Sequence, residues 1–115
     1  MLLVIGIKNC NTIQKTLKWL DEKGVEYDFR DVKKDPLSDE ELHDIVSKLS
    51  LETVINKRGT KWRSLDVADK NLNDQELFDL LADNQTMIKR PVIYRDEAVL
   101  IGFDEEAFTA FLELD

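Results

Sequence analysis

The stretch that most constrains this chain is Met1–Leu20, together with the glycine that follows at position 24. Leu2-Leu3-Val4-Ile5-Gly6-Ile7 is a continuous apolar run that stops abruptly at Lys8-Asn9-Cys10-Asn11-Thr12. The period then changes: Ile13, Thr16, Leu17 and Leu20 fall on one helical face, with Trp19 beside it. A short aliphatic run bounded by polar turn residues is the pattern of a buried strand, and the spacing after it is that of an amphipathic helix. The helix is expected from Thr12 to Lys23, with Gly24 just past its end. Val25 to Val32 then alternates with period two, as a strand with one buried face does. Strand, helix and strand in so short a span make a βαβ unit, with parallel strands and a right-handed crossover. That topology places Cys10, the only cysteine, where a strand hands over to a helix.

The remaining elements follow from their caps. Ser38 with Glu41 is a capping box that opens a helix at Asp39, carrying Leu42, Ile45, Val46 and Leu49 on one face. A short helical piece is expected around Leu51–Ile55, a basic loop from Asn56 to Arg63, and a loop or short helix across Leu65–Leu72. Asn73 with Glu76 repeats the cap signature and opens a helix to about Asp83. Val92–Arg95 and Ala98–Ile101 flank an Asp96-Glu97 turn, which is a hairpin signal. Asp104 caps a last helix with Phe108, Phe111 and Leu112 facing inward. The order is β-α-β, an all-helical middle, then β-β-α. We therefore expect an α/β thioredoxin-like fold with a four-stranded mixed sheet, a single domain over residues 1–115, and a helical insert at about 38–85.

Composition narrows the function classes. A net charge of −8 opposes general binding to a phosphate backbone, so no direct nucleic-acid contact is expected. No apolar run approaches the roughly 20 residues that span a bilayer, and the opening run lacks the basic leader of a signal peptide. The expectation is a cytoplasmic, monomeric protein with no membrane contact. One cysteine rules out a disulfide within the chain, so any redox chemistry must borrow its second thiol.

Three features carry candidate chemistry. The first is Cys10. A thiolate, not a thiol, is the nucleophile, and a helix N-terminus offers unpaired N–H groups and roughly half a positive charge. Asn11 and Thr12 can donate further hydrogen bonds to a sulfur anion, and the same groups would receive an oxyanion. A free cysteine is often only a small buried hydrophobe, but a polar turn at the C-terminal end of a strand, where open α/β sheets place their sites, favours a reactive one. The second feature is Arg90-Pro91, directly before a strand, which is either a rigid junction near the Cys10 turn or an ordinary strand-start proline. The third is the basic run Lys57, Arg58, Lys61 and Arg63, either a solvated face or an anion-receiving loop. His43 has no partner at metal-ligand spacing, so it is taken as a surface residue and no metal site is expected. Trp19 suits packing. Trp62 suits either packing or ligand contact.

Gly6-Ile7-Lys8-Asn9-Cys10-Asn11-Thr12-Ile13, Asn56 to Arg63, Ile88-Lys89-Arg90-Pro91 and Ile101-Gly102-Phe103 together resemble the arsenate reductase (ArsC)/Spx family, and within it the small YffB-like branch. The resemblance spans nearly the whole chain in order. It implies a glutathione-dependent thiol oxidoreductase with Cys10 as nucleophile, a mixed disulfide as intermediate, glutathione as co-substrate and no bound cofactor. Glutaredoxin would resolve the mixed disulfide. It also implies Arg90 as an anion-binding residue, Arg58 and Lys57 as assistants, and a cis peptide bond before Pro91. Two positions depart from the arsenate reductases: Asn56 stands where their first anion-binding arginine falls, and Gly102 near where a further one does. Phosphate-like anions favour several cations and bidentate arginine forks, so these losses weaken the case for arsenate more than for a peptide thiol. The alternative is an Spx-like regulator that binds RNA polymerase without turnover, although Spx regulators commonly carry Cys-x-x-Cys and this chain has Ile13 in the second place.

Overall fold

In the computed structural model, which describes residues 2–67 and 69–113, the opening apolar run is strand β1 (Leu2–Gly6) and the pattern after Cys10 is helix α1 (Asn11–Glu22). The chain continues through β2 (Asp28–Asp31), α2 (Asp39–Leu49), α3 (Leu51–Val54), α4 (Thr60–Leu65) and α5 (Asp74–Asp83). A 3₁₀ turn at Gln85–Met87, β3 (Val92–Arg95), β4 (Ala98–Ile101) and α6 (Glu105–Phe111) complete it. Two compact units result: Met1–Asp31 with Arg90–Asp115, and Val32–Lys89.

The first unit is built on a mixed sheet in the order β2-β1-β3-β4. β1 pairs parallel with β2, from Leu3↔Asp28 to Gly6↔Asp31, and antiparallel with β3, where Ile5 faces Val92. β3 and β4 form the hairpin. As a central strand β1 is buried at Leu2, Val4, Ile5 and Gly6, which is why its sequence is continuous rather than alternating. Leu2, Val4, Trp19, Leu20, Ile93 and Phe108 form the core, with Phe29, Leu100 and Phe103 packed against it. Trp19 and Phe103 both meet Phe108 edge to face, at 5.4 and 5.2 Å between ring centroids. Trp19 is therefore a packing residue.

β2 is shorter than the alternation from Val25 suggests. The reason lies at the end of α1, where the Gly24 N–H donates to the Asp21 carbonyl (3.1 Å) and the Val25 N–H to the Leu20 carbonyl (3.0 Å). This is a Schellman closure, with Leu20 in the core and Val25 packed against it. Val25 spends its donor on the helix stop and cannot open a ladder.

The second unit is helical. Both expected capping boxes form: Ser38 and Glu41 bond reciprocally, as do Asn73 and Glu76. Its two ends are tied together. The Gln85 side-chain amide accepts from the Leu37 N–H (2.7 Å) and donates to the Leu37 carbonyl (2.9 Å). The Lys89 N–H donates to the Val54 carbonyl and the Asn56 N–H to the Met87 carbonyl, each at 2.8 Å. The basic run is not one loop. Lys61 and Arg63 stand on α4, and Trp62 between them is buried. Helix forms there because one turn buries the indole, and Gly59 as N-cap leaves a weaker sequence signal than the serine and asparagine caps elsewhere. α4 ends at Leu65 with Asp66 in the left-handed region (φ 52°). Of the Leu65–Leu72 stretch, Ala68 lies outside the described residues. His43 is exposed and stacks on Phe78, 3.9 Å between centroids. Among the described residues no helix is long and apolar enough to cross a membrane.

Candidate active site

Cys10 is the N-cap of α1, extended (φ −139°, ψ 129°) and partly exposed. The first intrahelical bond is the one the Gln14 N–H donates to the Cys10 carbonyl, at 2.9 Å. The N–H groups of Asn11, Thr12 and Ile13 therefore have no partner within the helix. The first turn holds no acidic residue to offset that positive end. Cys10 itself makes no side-chain capping bond, so the sulfur does not consume those donors. Asn11 is exposed and Thr12 partly so, and the Thr12 carbonyl accepts from the buried Thr16 hydroxyl at 2.8 Å. That bond and the fully buried Ile13 hold the first turn in place.

The sheet register brings Arg90-Pro91 to the same end. Because Ile5 pairs with Val92, the residues before β3 lie beside Gly6 and the segment that leads to Cys10. The Arg90–Pro91 peptide bond is cis. A methyl group placed on Gly6 would overlap the Ile13 side chain and stand 3.8 Å from Arg90 Cγ. The stem of Arg90 thus lies over Gly6, beside Ile13, in the first turn of the helix that Cys10 caps. Pro91 is buried, and its carbonyl accepts from the Gly102 N–H at 2.9 Å.

Two glycines that stand in the motifs of the family resemblance have structural roles that the sequence alone does not reveal. Gly6 is one: only a residue without a Cβ lets Ile13 approach β1 so closely. Gly102 is the other. Its φ of 86° lies where side chains are disfavoured, so a residue with a Cβ would be strained there. Phe103 follows, with the Lys15 ammonium 4.5 Å from its ring centroid.

Cys10, Asn11, Thr12, Arg90 and Pro91 are thus brought together in the first unit. Lys57 and Arg58 belong to the second, in the turn between α3 and α4, where both are exposed. The Lys57 ammonium stands 5.7 Å from the Trp62 ring centroid. Among the described residues no cluster of histidine, cysteine and carboxylates could hold a metal ion. Chemically, the first unit offers a thiol, open helical N–H groups and a guanidinium at one end of a sheet. Such a group suits attack by sulfur on an electrophile that carries negative charge.

Residues 5–111 match the model of the ArsC family. An uncharacterized protein of Haemophilus influenzae is 40% identical over 111 residues, 96% of this chain and 97% of its own. A global transcriptional regulator Spx of Streptococcus pyogenes is 32% identical over 109 residues, 93% of this chain and 81% of its own. The solved structure of a YffB protein superposes with a TM-score of 0.89 at 36% identity, covering 96% of this chain and 97% of that one.

Proposed function

The chain belongs to the ArsC family, with its thioredoxin-like fold, and on that premise we propose that it is a glutathione-dependent thiol oxidoreductase in which Cys10 is the nucleophile. The observation that carries this reading is the placement of the lone thiol at a helix N-terminus with no acidic residue in its first turn, at the end of the sheet where Arg90 precedes β3. In the proposed cycle the Cys10 thiolate attacks a mixed disulfide R–S–S–G at the glutathione sulfur. That S–S bond breaks, R–S⁻ leaves and takes a proton, and Cys10 carries the glutathionyl group. A second glutathione, as thiolate, attacks this adduct, forms glutathione disulfide and returns the Cys10 thiolate. The net change is reduction of the mixed disulfide at the expense of one glutathione. Arg90 and the open N–H groups would stabilise anionic sulfur in both steps. With one cysteine in the chain, the adduct has no internal thiol to resolve it and must wait for an external one, glutathione or glutaredoxin.

Mass spectrometry after incubation with glutathione disulfide tests the reading. A single glutathionyl adduct is expected on the wild type and none on Cys10→Ser. An unmodified wild type, at glutathione disulfide concentrations that modify an unstructured cysteine peptide, would defeat it.

The Spx relative, a global transcriptional regulator, favours a second reading, in which this chain binds RNA polymerase without turnover as the family resemblance implies. Ile13 occupies the position that would complete Cys-x-x-Cys, so such binding would not depend on a disulfide switch within that motif. Capture of purified polymerase subunits that persists in Cys10→Ser would support it.

A further inference from the structure

The second unit carries a concavity of about 590 Å³ lined by Asn56, Lys57, Arg58 and Lys89, with Glu52 and Ile55 also in its wall. Three cations against one carboxylate are notable in a chain of net charge −8. Among the described residues none of the three is ion-paired. The frame beneath them is tied by backbone hydrogen bonds. An antiparallel bridge joins Ile55 and Ile88, both buried, and the bonds from the Asn56 and Lys89 N–H groups flank it. Lys89 is thereby held beside the Asn56-Lys57-Arg58 turn. In that turn the Arg58 N–H donates to Asn56 Oδ1 at 3.2 Å. The amide oxygen is thus occupied, and the Asn56 NH₂ group is available as a donor.

Size and charge select the ligand. The volume lies within the roughly 300–1,000 Å³ of small-molecule sites and is far more than one tetrahedral oxyanion needs. Glu52 would repel a compact polyanion but suits an ammonium group. We propose that this concavity binds a small zwitterionic peptide with two carboxylates and one ammonium, its carboxylates on Lys57, Arg58 and Lys89 and its ammonium at Glu52. The inference deepens the function proposed above and rests on it for the identity of the peptide, since glutathione is a molecule of this class. The residue it adds is Lys89, which comes beside Lys57 and Arg58 only through the bridge.

The test uses S-methylglutathione, which has the charges of glutathione but no thiol, titrated into the full-length Cys10→Ser protein by calorimetry and by amide chemical shifts. The expected result is saturable binding that moves the amides of residues 52–58 and 89 and weakens with salt. Lys89→Ala and Arg58→Ala, both at exposed positions, should each weaken it about tenfold, and Glu52→Gln should weaken it too. Absent binding, binding indifferent to Arg58→Ala and Lys89→Ala, or equally tight displacement by inorganic phosphate would each overturn the proposal. Failure here is separable from failure of the thiol chemistry: a glutathionyl adduct on wild-type Cys10 without shifts at 52–58 and 89 overturns only the peptide site. Saturable binding with no adduct overturns only the reductase reading.

Discussion

Replacing Gly6 by alanine tests the packing on which the Cys10 site rests. The added methyl group would stand 2.7 Å from Ile13 Cγ1 and overlap Cδ1. Ile13 is fully buried, so its side chain cannot swing out into solvent. Either the isoleucine leaves its rotamer or the first turn of α1 moves away from β1. Overpacking of this kind costs about 1–3 kcal/mol. With an unfolding entropy of about 2.1 cal/mol/K per residue, a chain of 115 residues should melt about 4–12 °C lower. The penalty should depend on the isoleucine. In an Ile13→Val background the overlapping Cδ1 is gone, so Gly6→Ala should cost less by about 1 kcal/mol, a coupling typical of residues in contact. Urea titrations of the four proteins in the cycle measure both quantities. Because Ile13 stands in the first turn of the helix that Cys10 caps, a shift of that turn by Gly6→Ala should also slow formation of the Cys10 adduct, whereas Arg90 Cγ, 3.8 Å from the methyl position, is at ordinary contact distance. A Gly6→Ala protein that melts within a degree of wild type, or pays the same penalty in both backgrounds, would refute the claim that Gly6 exists to admit Ile13.

Other perturbations probe separate parts of the chain. Gln85→Ala strips the Leu37 N–H and C=O of their partners, and because Leu37 is buried the loss should be about 1–3 kcal/mol, read as a lower urea midpoint. Ser50 sits at φ 86°, ψ 148°, close to a region that costs a side-chain-bearing residue about 1–3 kcal/mol. Ser50→Gly sacrifices only a few tenths as a cap, so it should raise the midpoint, and a fall would contradict the strain. Burial first, and then the hydrogen bond to and charge of Asp21 (3.2 Å), raise the Tyr27 hydroxyl above its ordinary phenol value. The associated stability is therefore fully present below about pH 10 and is lost as pH rises through the higher folded value. Ultraviolet titration should show the late phenol transition vanish in Tyr27→Phe and move earlier in Asp21→Asn.

How far the sequence speaks depends on the range of each interaction. The capping boxes at Ser38 and Asn73 are local hydrogen bonds between residues three apart, so the residues that make them also announce them. The β1–α1 junction is legible for the same reason: the change from continuous to helical periodicity falls at Cys10. The extent of β2 was less legible, because Val25 has its N–H engaged by a helix stop that alternation cannot register. α4 was missed because its helical turn depends on burying Trp62, and a basic sequence conceals a tertiary requirement.

By itself the sequence determined the order of the strands and of the side-chain-capped helices, and the end of the sheet at which the lone thiol stands, since these follow from periodicity, caps and short-range chirality. The tertiary structure alone decided what surrounds it. Arg90 comes to the end of the sheet where α1 begins, its stem over Gly6, through the Ile5↔Val92 register. Lys89 joins Lys57 and Arg58 through a bridge between residues 33 apart in the chain, Ile55 and Ile88. Such neighbours are set by strand pairing and close packing, which act between residues that no local pattern relates.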